Sequence, residues 1–225
     1  YVCMVRVAAA DDDADARRRK PHEGITCVLV PRDAPGLSFG AKERKLGWNS
    51  QPTRAVYFDN CRVPAANVLG GNGRGFQIAM AGLDGGRISI GACSVGAAQV
   101  CLEKAVAHAK ERRTFGRALA EHQAVQFALA DAAVRVHASR TVLRHAAALM
   151  DERHALFSPH CAMAKLLACD ECYRAVDDCL QLLGGYGYLK DYDIERYLRD
   201  VRVHRILEGT DNVMRMVISR AVLAE

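Results

Sequence analysis

The sequence QLLGGYGYLKDYDIERYLRDVRVHRILEGTDNVMR, residues 181–215, combines a glycine cluster, a charged helical pattern and a Leu-Glu-Gly-Thr junction before another helix. By spacing alone, Gly184 and Gly185 either cap the preceding helix or let a cofactor lie against bare backbone. Glu208 stands at the second junction, where a carboxylate can act as a catalytic base. The stretch therefore predicts a helical domain with candidate chemistry at two helix ends.

The junction at Glu208 has two interpretations. Thr210 or Asp211 is expected to be the N-cap of the last helix. Glu208 is then either an ordinary residue outside a helix N-terminus, where its charge is stabilised, or a general base in an apolar pocket. The residues alone leave both interpretations open.

The apolar spacing over residues 73–225 is typical of long amphipathic helices. Three such helices are predicted, followed by two shorter ones at 190–205 and 211–223, and together they indicate a helical bundle. The positions that carry the three long patterns are Ile88, Ala92, Val95, Ala98, Leu102, Val106 and Ala109; Val125, Leu129, Ala132, Val136, Leu143, Ala147 and Met150; and Ala162, Leu166, Cys169, Tyr173, Val176, Leu180 and Leu183.

Residues 1–68 are instead rich in β-forming residues. Strands are predicted at 2–8, 24–31 and 53–58. The fold class is therefore α+β, with a partial β-domain at 1–68 followed by an α-helical bundle domain at 73–225. Between them, GGNGRGF (70–76) looks like a nucleotide-binding glycine loop. It follows no clear strand and lacks a P-loop lysine, so a linker is favoured.

Charge and hydropathy bound the function classes. The formal net charge of +5 suits anionic ligands but does not by itself indicate nucleic-acid binding. In DDDADARRRK (11–20) the acidic half balances the basic half, so a solvated loop is expected. No apolar run approaches about 18 residues, so we expect no membrane insertion. The chain begins without Met or a targeting segment, which indicates a start within a longer protein.

Four of the nine cysteines fall at helical spacings on one segment: Cys161, Cys169, Cys172 and Cys179. Cys169 and Cys172 form a CxxC motif, but no second pair has zinc-site spacing. We therefore expect small apolar thiols on a buried helix face in a reducing compartment, and no metal site.

Two arginine motifs are candidates for ligand binding. Asp84 and Arg87 in LDGGR share one helix face, as either a helix-start ion pair or a polar anchor for an extended ligand. In ERRTFG (111–116), a guanidinium suits pyrophosphate and Phe115 offers a stacking face. The alternative there is a cationic helix C-terminus that complements the dipole.

Taken in order, RRTFG, HQ, QLLGGYGY, RYLRD, ILEGT and MRM resemble the C-terminal portion of the acyl-CoA dehydrogenase family. The resemblance covers essentially the whole chain except the insertion at 11–20. Segments 47–58, 82–98, 189–192 and 208–220 look most like members that oxidise short branched-chain acyl-CoA. The family's N-terminal helical domain, middle β-domain and C-terminal four-helix bundle imply that 1–68 is the later part of the β-domain and that the earlier parts are missing.

The resemblance also implies a reaction. Glu208 is the implied base that removes the α-proton of a saturated acyl-CoA, with hydride passing from the β-carbon to FAD. Its backbone N–H is an implied donor to the thioester oxygen. The implied substrate is isobutyryl-CoA of valine catabolism; the alternatives are another short or 2-methyl-branched acyl-CoA, or an inactive fragment acting as an assembly module. A homotetramer, electron-transfer flavoprotein as acceptor and a mitochondrial-matrix location are implied as well.

Other site residues follow only from matching the family's motifs. Substrate contacts are implied for Asp84, Gly85, Gly86, Arg87, Gly209 and Arg220. FAD contacts are implied for Arg112, Arg113, Thr114, His122, Gln123, Gln181, Leu182, Leu183, Gly184, Gly185, Thr210, Asp211 and Asn212. The arginine motif and the 181–185 segment are implied to reach the flavin of a neighbouring subunit. Asn212 departs from the family, because close relatives usually have Glu there.

Overall fold

The computed structural model describes residues 1–7, 20 and 22–224. The chain divides into two compact units, one formed by Tyr1–Arg44 with Gln51–Leu83 and the other by Lys45–Ser50 with Asp84–Glu225. The predicted solvated loop at 11–20 lies, apart from Lys20, outside the described residues. The interpretation of residues 1–68 as the later part of a larger β-domain stays a prediction.

In its described residues the first unit contains five short strands, β1 (Val2–Arg6), β2 (Ile25–Leu29), β3 (Leu37–Phe39), β4 (Val56–Phe58) and β5 (Val68–Leu69). Strands β1, β2 and β5 form one antiparallel sheet with β2 at its centre, while β3 and β4 form a second antiparallel pair. The central strand β2 buries Thr26, Cys27 and Val28, as expected for a strand paired on both edges. The sequence predicted β1, β2 and β4 but missed β3 and β5.

The glycine segment before the first helix supports this unit. The N–H of Gly73 donates to Oγ1 of Thr26 at 3.0 Å. A Cβ on Gly75 would lie 2.6 Å from the carbonyl carbon of Thr26, so only glycine fits against that strand. These contacts favour the linker interpretation of 70–76 over a nucleotide-binding loop.

The helices are α1 (Gly75–Glu111), α2 (Gln123–Asp151), α3 (Phe157–Leu183), α4 (Ile194–Arg202) and α5 (Asp211–Val222). A hairpin whose two strands have two residues each, β6 (Arg113–Thr114) and β7 (Arg117–Ala118), lies between α1 and α2. Short 3₁₀ helices at Gly184–Tyr188, Lys190–Tyr192 and Val203–Arg205 connect the later helices. The prediction of three long helices, two shorter ones and an α+β fold class is confirmed.

The bundle core consists mainly of small residues. Its buried members include Ala98, Cys101, Ala105, Ala132, Val136, Ala168, Cys172, Ala175 and Cys179. Alanine and cysteine let helices approach closely, and larger side chains such as Leu143, Leu183 and Ile194 complete the core. The predicted buried face of α3 is confirmed, since all four of its cysteines are buried and free. Burial raises the pKa of Cys172 and of Cys179 to about 12, which keeps both thiols protonated.

Helix α1 corrects one expectation. It is long and apolar enough to meet a length-and-composition test for crossing a membrane, although no such stretch was expected from the sequence. The charged residues of α1 are separated widely enough to leave a mostly apolar window. Its buried residues Val95, Ala98, Cys101 and Ala105 belong to the bundle core. That position is the ordinary one for an apolar helix in a helical bundle.

Candidate functional site

Glu208 lies in a strained turn between the 3₁₀ helix Val203–Arg205 and helix α5. Its backbone φ is 57°, and that of Gly209 is 100°. A non-glycine residue in the left-handed region is unfavourable, and such strain persists only where surrounding contacts impose it. Thr210 follows as the N-cap, its Oγ1 accepting a hydrogen bond from the N–H of Val213 at 3.4 Å. The turn therefore fixes the direction of Glu208 just before the helix begins.

The half-buried Glu208 carboxylate packs against Gly86 of α1. A Cβ on Gly86 would lie 2.6 Å from Cδ of Glu208, so any larger residue would displace the carboxylate. Glycine inside a helix costs about 1 kcal/mol relative to alanine. The close approach of the Glu208 carboxylate explains why glycine stands at position 86 despite that cost.

A buried ion pair lies on the same part of α1. Arg87 Nη1 is 2.6 Å from Asp84 Oδ1, and Ser158 Oγ donates to the same oxygen at 2.9 Å. Both ionic residues are only 6% exposed. The helix-start alternative for this pair is wrong, because α1 begins at Gly75. Among the described residues, Nε of Arg87 is a buried donor without a hydrogen-bond partner.

Lys165 of α3 completes this cluster, and the sequence analysis missed it. Its side chain is fully buried, and Nζ donates to the carbonyl oxygen of Gly209 at 2.8 Å. Asp211 Oδ1 lies 4.0 Å from the same nitrogen. Burial lowers the pKa of Lys165. The available signal was a single lysine between Ala164 and Ala168 on the apolar face of α3.

A second feature is an open cavity of about 530 Å³ where α1 and α3 end. Its walls bring together six residues predicted to contact FAD: Arg112, Thr114, Leu182, Leu183, Gly184 and Gly185. The four other residues that line the cavity, His108, Leu119, Tyr186 and Leu189, were not predicted from the sequence.

The surface of this cavity suits part of a dinucleotide. Gly184 ends α3 with φ of 57°, and a Cβ on Gly184 or Gly185 would meet nothing within 4 Å. The Arg112 guanidinium lies 5.6 Å from the Tyr186 ring centroid. A cation, an aromatic face and bare backbone beside Leu182 fit phosphate and heterocycle groups. The residues present therefore fit a portion of FAD.

The hairpin residues beside this cavity differ in their contacts. Arg113 donates to the carbonyl oxygen of Gly116 at 3.0 Å and is absent from the cavity lining. Nε2 of His122 lies 3.4 Å from Thr114 Oγ1 and 3.3 Å from the Thr114 carbonyl oxygen. Phe115, the suggested stacking face, is 97% exposed. Gln123 and Gln181 are exposed outside the lining of the cavity.

The remaining predicted FAD residues lie in another cavity. Its volume is about 310 Å³, and it is lined by Arg202, Arg205, Ile206, Thr210, Asp211, Asn212 and Arg215. Arg205 Nε lies 2.9 Å from Asp211 Oδ2, and Arg215 Nη1 donates to Asn212 Oδ1 at 3.2 Å. The predicted cofactor residues thus form two groups in one chain. Arg220, a predicted substrate contact, has its guanidinium 3.6 Å from the sulfur of Met216 on its own helix.

Comparison with known proteins identifies the class. The family model described as "Acyl-CoA dehydrogenase, C-terminal domain" matches residues 73–223, and the chain belongs to the acyl-CoA dehydrogenase family. Members of this family are FAD-dependent flavoproteins. The predictions of family and fold are therefore confirmed.

Individual relatives are similar over nearly the whole chain. Isobutyryl-CoA dehydrogenase, mitochondrial, from Dictyostelium discoideum is 57% identical over 220 residues, which is 98% of this chain and 51% of that protein. The butyryl-CoA dehydrogenase structure from Megasphaera elsdenii has a TM-score of 0.88 and 38% identity, covering 91% of this chain and 53% of that chain. A chain solved in work on the electron transferring flavoprotein of Acidaminococcus fermentans has a TM-score of 0.92 and 40% identity, covering 100% and 57%. The present chain spans about half the length of the relatives it matches.

Proposed function

We propose that this chain is the C-terminal half of an FAD-dependent dehydrogenase for short branched-chain acyl-CoA, with isobutyryl-CoA as its substrate. In this proposal residues 1–68 complete a middle β-domain and residues 73–225 form the bundle domain. The observation that carries the proposal is the strained turn that holds Glu208 against Gly86, beside the buried Asp84–Arg87 pair. The 57% sequence identity to isobutyryl-CoA dehydrogenase from Dictyostelium discoideum supports the choice of substrate.

Glu208 is proposed as the base of the reaction. Its carboxylate accepts the α-proton of the acyl thioester, and the electron pair of that C–H bond becomes part of the new α,β double bond. Bound FAD supplies the acceptor for the hydride that leaves the β-carbon. A positioned general base contributes about 10²–10⁴-fold to such a step, provided that it lies within reach of the proton. The left-handed turn and the bare Gly86 surface provide that positioning.

The backbone of the same turn is proposed to polarise the substrate. The N–H of Glu208 donates to the thioester oxygen, where negative charge grows as the α-proton leaves. A preorganised backbone donor in a water-poor site stabilises such charge. Arg87 contributes a buried, unpaired Nε donor, among the described residues, for the more remote part of acyl-CoA. Asp84, Gly85, Gly209 and Arg220 are proposed as further substrate contacts.

The two groups of cofactor residues support a proposal about assembly. One group lines the cavity at the end of α3, and the other lines the cavity at the start of α5. We propose that each FAD is held by residues from more than one subunit of a homotetramer. Arg112 then holds phosphate, while the 181–185 segment lies against the adenosine half. His122 and Gln123 are proposed to complete that surface.

Two further proposals come from the relatives. The likeness to a chain solved with work on an electron transferring flavoprotein supports electron-transfer flavoprotein as the acceptor. The mitochondrial designation of the similar isobutyryl-CoA dehydrogenase supports a location in the mitochondrial matrix.

The test uses the full-length, FAD-loaded enzyme. Changing Glu208→Gln removes the base with little change in shape, and turnover is expected to fall at least about 10²-fold. Near-normal turnover would exclude Glu208 as the base. The substrate assignment is tested separately with isobutyryl-, 2-methylbutyryl- and butyryl-CoA on the unaltered enzyme. The highest kcat/KM is expected for isobutyryl-CoA, and a preference for either other thioester would overturn that assignment.

A further inference from the structure

The Glu208 turn is held from behind by one buried lysine. Lys165 extends from α3 and donates to the Gly209 carbonyl at 2.8 Å, with its side chain fully buried. Gly209 follows the strained Glu208, so this bond holds the Gly209–Thr210 peptide, the second peptide unit after the Glu208 α-carbon. The bond spans 44 residues of sequence and links the turn directly to a core helix.

The residue that accepts this bond has to be glycine. Its φ of 100° lies in the left-handed region, and a Cβ there would lie 2.6 Å from Cε of Met214. The following residue, Thr210, is already used to cap α5. The turn is therefore bounded by a helix cap on one side and by the Lys165 ammonium above its central carbonyl.

Lys165 also lies among several charged and titratable groups of the site. Its Nζ lies 4.0 Å from Asp211 Oδ1, close to the maximum distance for an ion pair. The charged and titratable groups that act on it come from every neighbouring element: Cys169 on its own helix, Asp211 on α5, Glu208 in the turn, Arg87 on α1 and His204 in the preceding 3₁₀ helix. A buried charge is costly unless it is paired and hydrogen-bonded, so its presence here needs a reason beyond packing.

We propose that Lys165 is a positioning residue for the base: by holding the Gly209 carbonyl it keeps the strained Glu208 turn aimed at Gly86. This inference rests on the proposed role of Glu208. Lys165 touches the peptide next to the base and acts on the reaction through Glu208. A displacement of about 1 Å in a catalytic group can cost about 10²-fold in rate, which sets the scale of the expected effect.

The experiment compares Lys165→Met, which keeps the length but removes the donor, with Lys165→Gln, which keeps a shorter neutral donor. Both are made in the full-length enzyme, and rates are expressed per bound flavin so that poorly folded protein does not count. For Lys165→Met we expect kcat for isobutyryl-CoA to fall at least about 10-fold with KM changed less than about 3-fold. Lys165→Gln is expected to recover part of the loss.

Two readouts separate positioning from general stability. The α-deuterium isotope effect on kcat should rise in Lys165→Met, because proton abstraction becomes the slow step. The second readout is partial recovery of kcat per flavin in Lys165→Gln, because a restored donor can hold the Gly209 carbonyl again, whereas a general loss of stability would not be reversed. The control is Lys104→Met, since Lys104 Nζ also donates to a backbone carbonyl, that of Tyr192 at 3.3 Å, in a different turn. Kinetics of the control are expected to match the unaltered enzyme.

The outcomes distinguish this inference from the proposed function. If Glu208→Gln is inactive while both Lys165 variants keep kcat per flavin within about 2-fold, the Lys165 inference is overturned and the base stands. An unchanged isotope effect in Lys165→Met, together with no recovery of kcat in Lys165→Gln, would likewise overturn it, even if the melting temperature falls. If Glu208→Gln retains turnover, the proposed function fails first.

Discussion

The two candidate sites of this chain are built in opposite ways. Around Glu208, the half-buried carboxylate packs against Gly86, while Lys165 donates to the Gly209 carbonyl and Ser158 donates to Asp84. At the end of α3, glycine backbone, Arg112 and Tyr186 border an open cavity. The first arrangement preorganises a reactive group before any ligand arrives, whereas the second leaves surface for a ligand to cover. We therefore expect changes around Glu208 to affect the reaction rate and changes in the open cavity to affect cofactor affinity.

Gly86→Ala tests the closed side of this comparison and should have the largest effect. The new Cβ would push the Glu208 carboxylate away, and activity of the FAD-loaded, full-length enzyme is expected to fall about 10²-fold. The fold should be spared, because the displaced atoms are the end of a flexible side chain. The melting temperature is expected to stay level or to rise slightly, since alanine favours helix.

Gly96→Ala is the matched control on the same helix. A Cβ at Gly96 would meet nothing within 4 Å, so full activity is expected with the same gain in helix propensity. Full activity in Gly86→Ala would contradict the idea that this glycine exists to seat Glu208.

Arg112→Ala tests the open side. Losing a charge-assisted contact to phosphate is expected to weaken FAD binding about 10-fold, measured by titrating apo enzyme with FAD and following flavin fluorescence. The neighbouring Arg113→Ala is the control, because that guanidinium contacts the Gly116 carbonyl and lies outside the cavity lining. Its dissociation constant should change less than about 3-fold. Equal effects of the two variants would show that lining the cavity does not set Arg112 apart from Arg113 in FAD binding.

His204 gives the last prediction, which concerns stability rather than activity or cofactor affinity. It is 4% exposed, its Nδ1 lies 2.7 Å from Ser94 Oγ, and its ring contacts Trp48 edge-on. Burial lowers the pKa of His204 from 6.5 to about 4. Because the unfolded chain binds the proton more tightly, stability is full above the unfolded pKa of about 6.5 and is lost as pH falls toward the folded value.

The measurement for His204 is thermal unfolding of the full-length enzyme near pH 7.5 and near pH 5. The unaltered protein is expected to lose about 2 kcal/mol more over this interval than His204→Gln, whose side chain does not titrate. A matching pH dependence in the two proteins would show that His204 is not protonated selectively in the unfolded chain.

Periodicity predicted the helices because α2 and α3 place apolar residues at regular spacing toward one core. The strands β3 and β5, of three and two residues, are too short to show a periodic pattern, whereas the equally short β4 lies within the β-rich run predicted at 53–58. The family resemblance identified Glu208 and residues 182–185 as candidate site residues. Their contacts and their burial are known only from the structure. Lys165 was missed because a lone lysine in an alanine-rich helix looks like a solvated residue until its burial is known.

The structure also refines how the site residues are grouped. A helix-start ion pair was one of two interpretations of Asp84 and Arg87, but α1 begins nine residues earlier, at Gly75. The family resemblance implied that the arginine motif and the 181–185 segment reach the flavin of a neighbouring subunit, and it gave 210–212 as a separate FAD segment. In the structure, Arg112 and residues 182–185 line one cavity and residues 210–212 line another.

The central claim is that Glu208 is the preorganised base, and anaerobic mixing of full-length, FAD-loaded enzyme with isobutyryl-CoA tests it most directly. In the unaltered enzyme the visible flavin absorbance should bleach within a single turnover. In Glu208→Gln with equal bound flavin, bleaching is expected to be at least about 10²-fold slower. Equal bleaching rates would contradict the account, because hydride transfer would then proceed without the carboxylate that this turn holds in place.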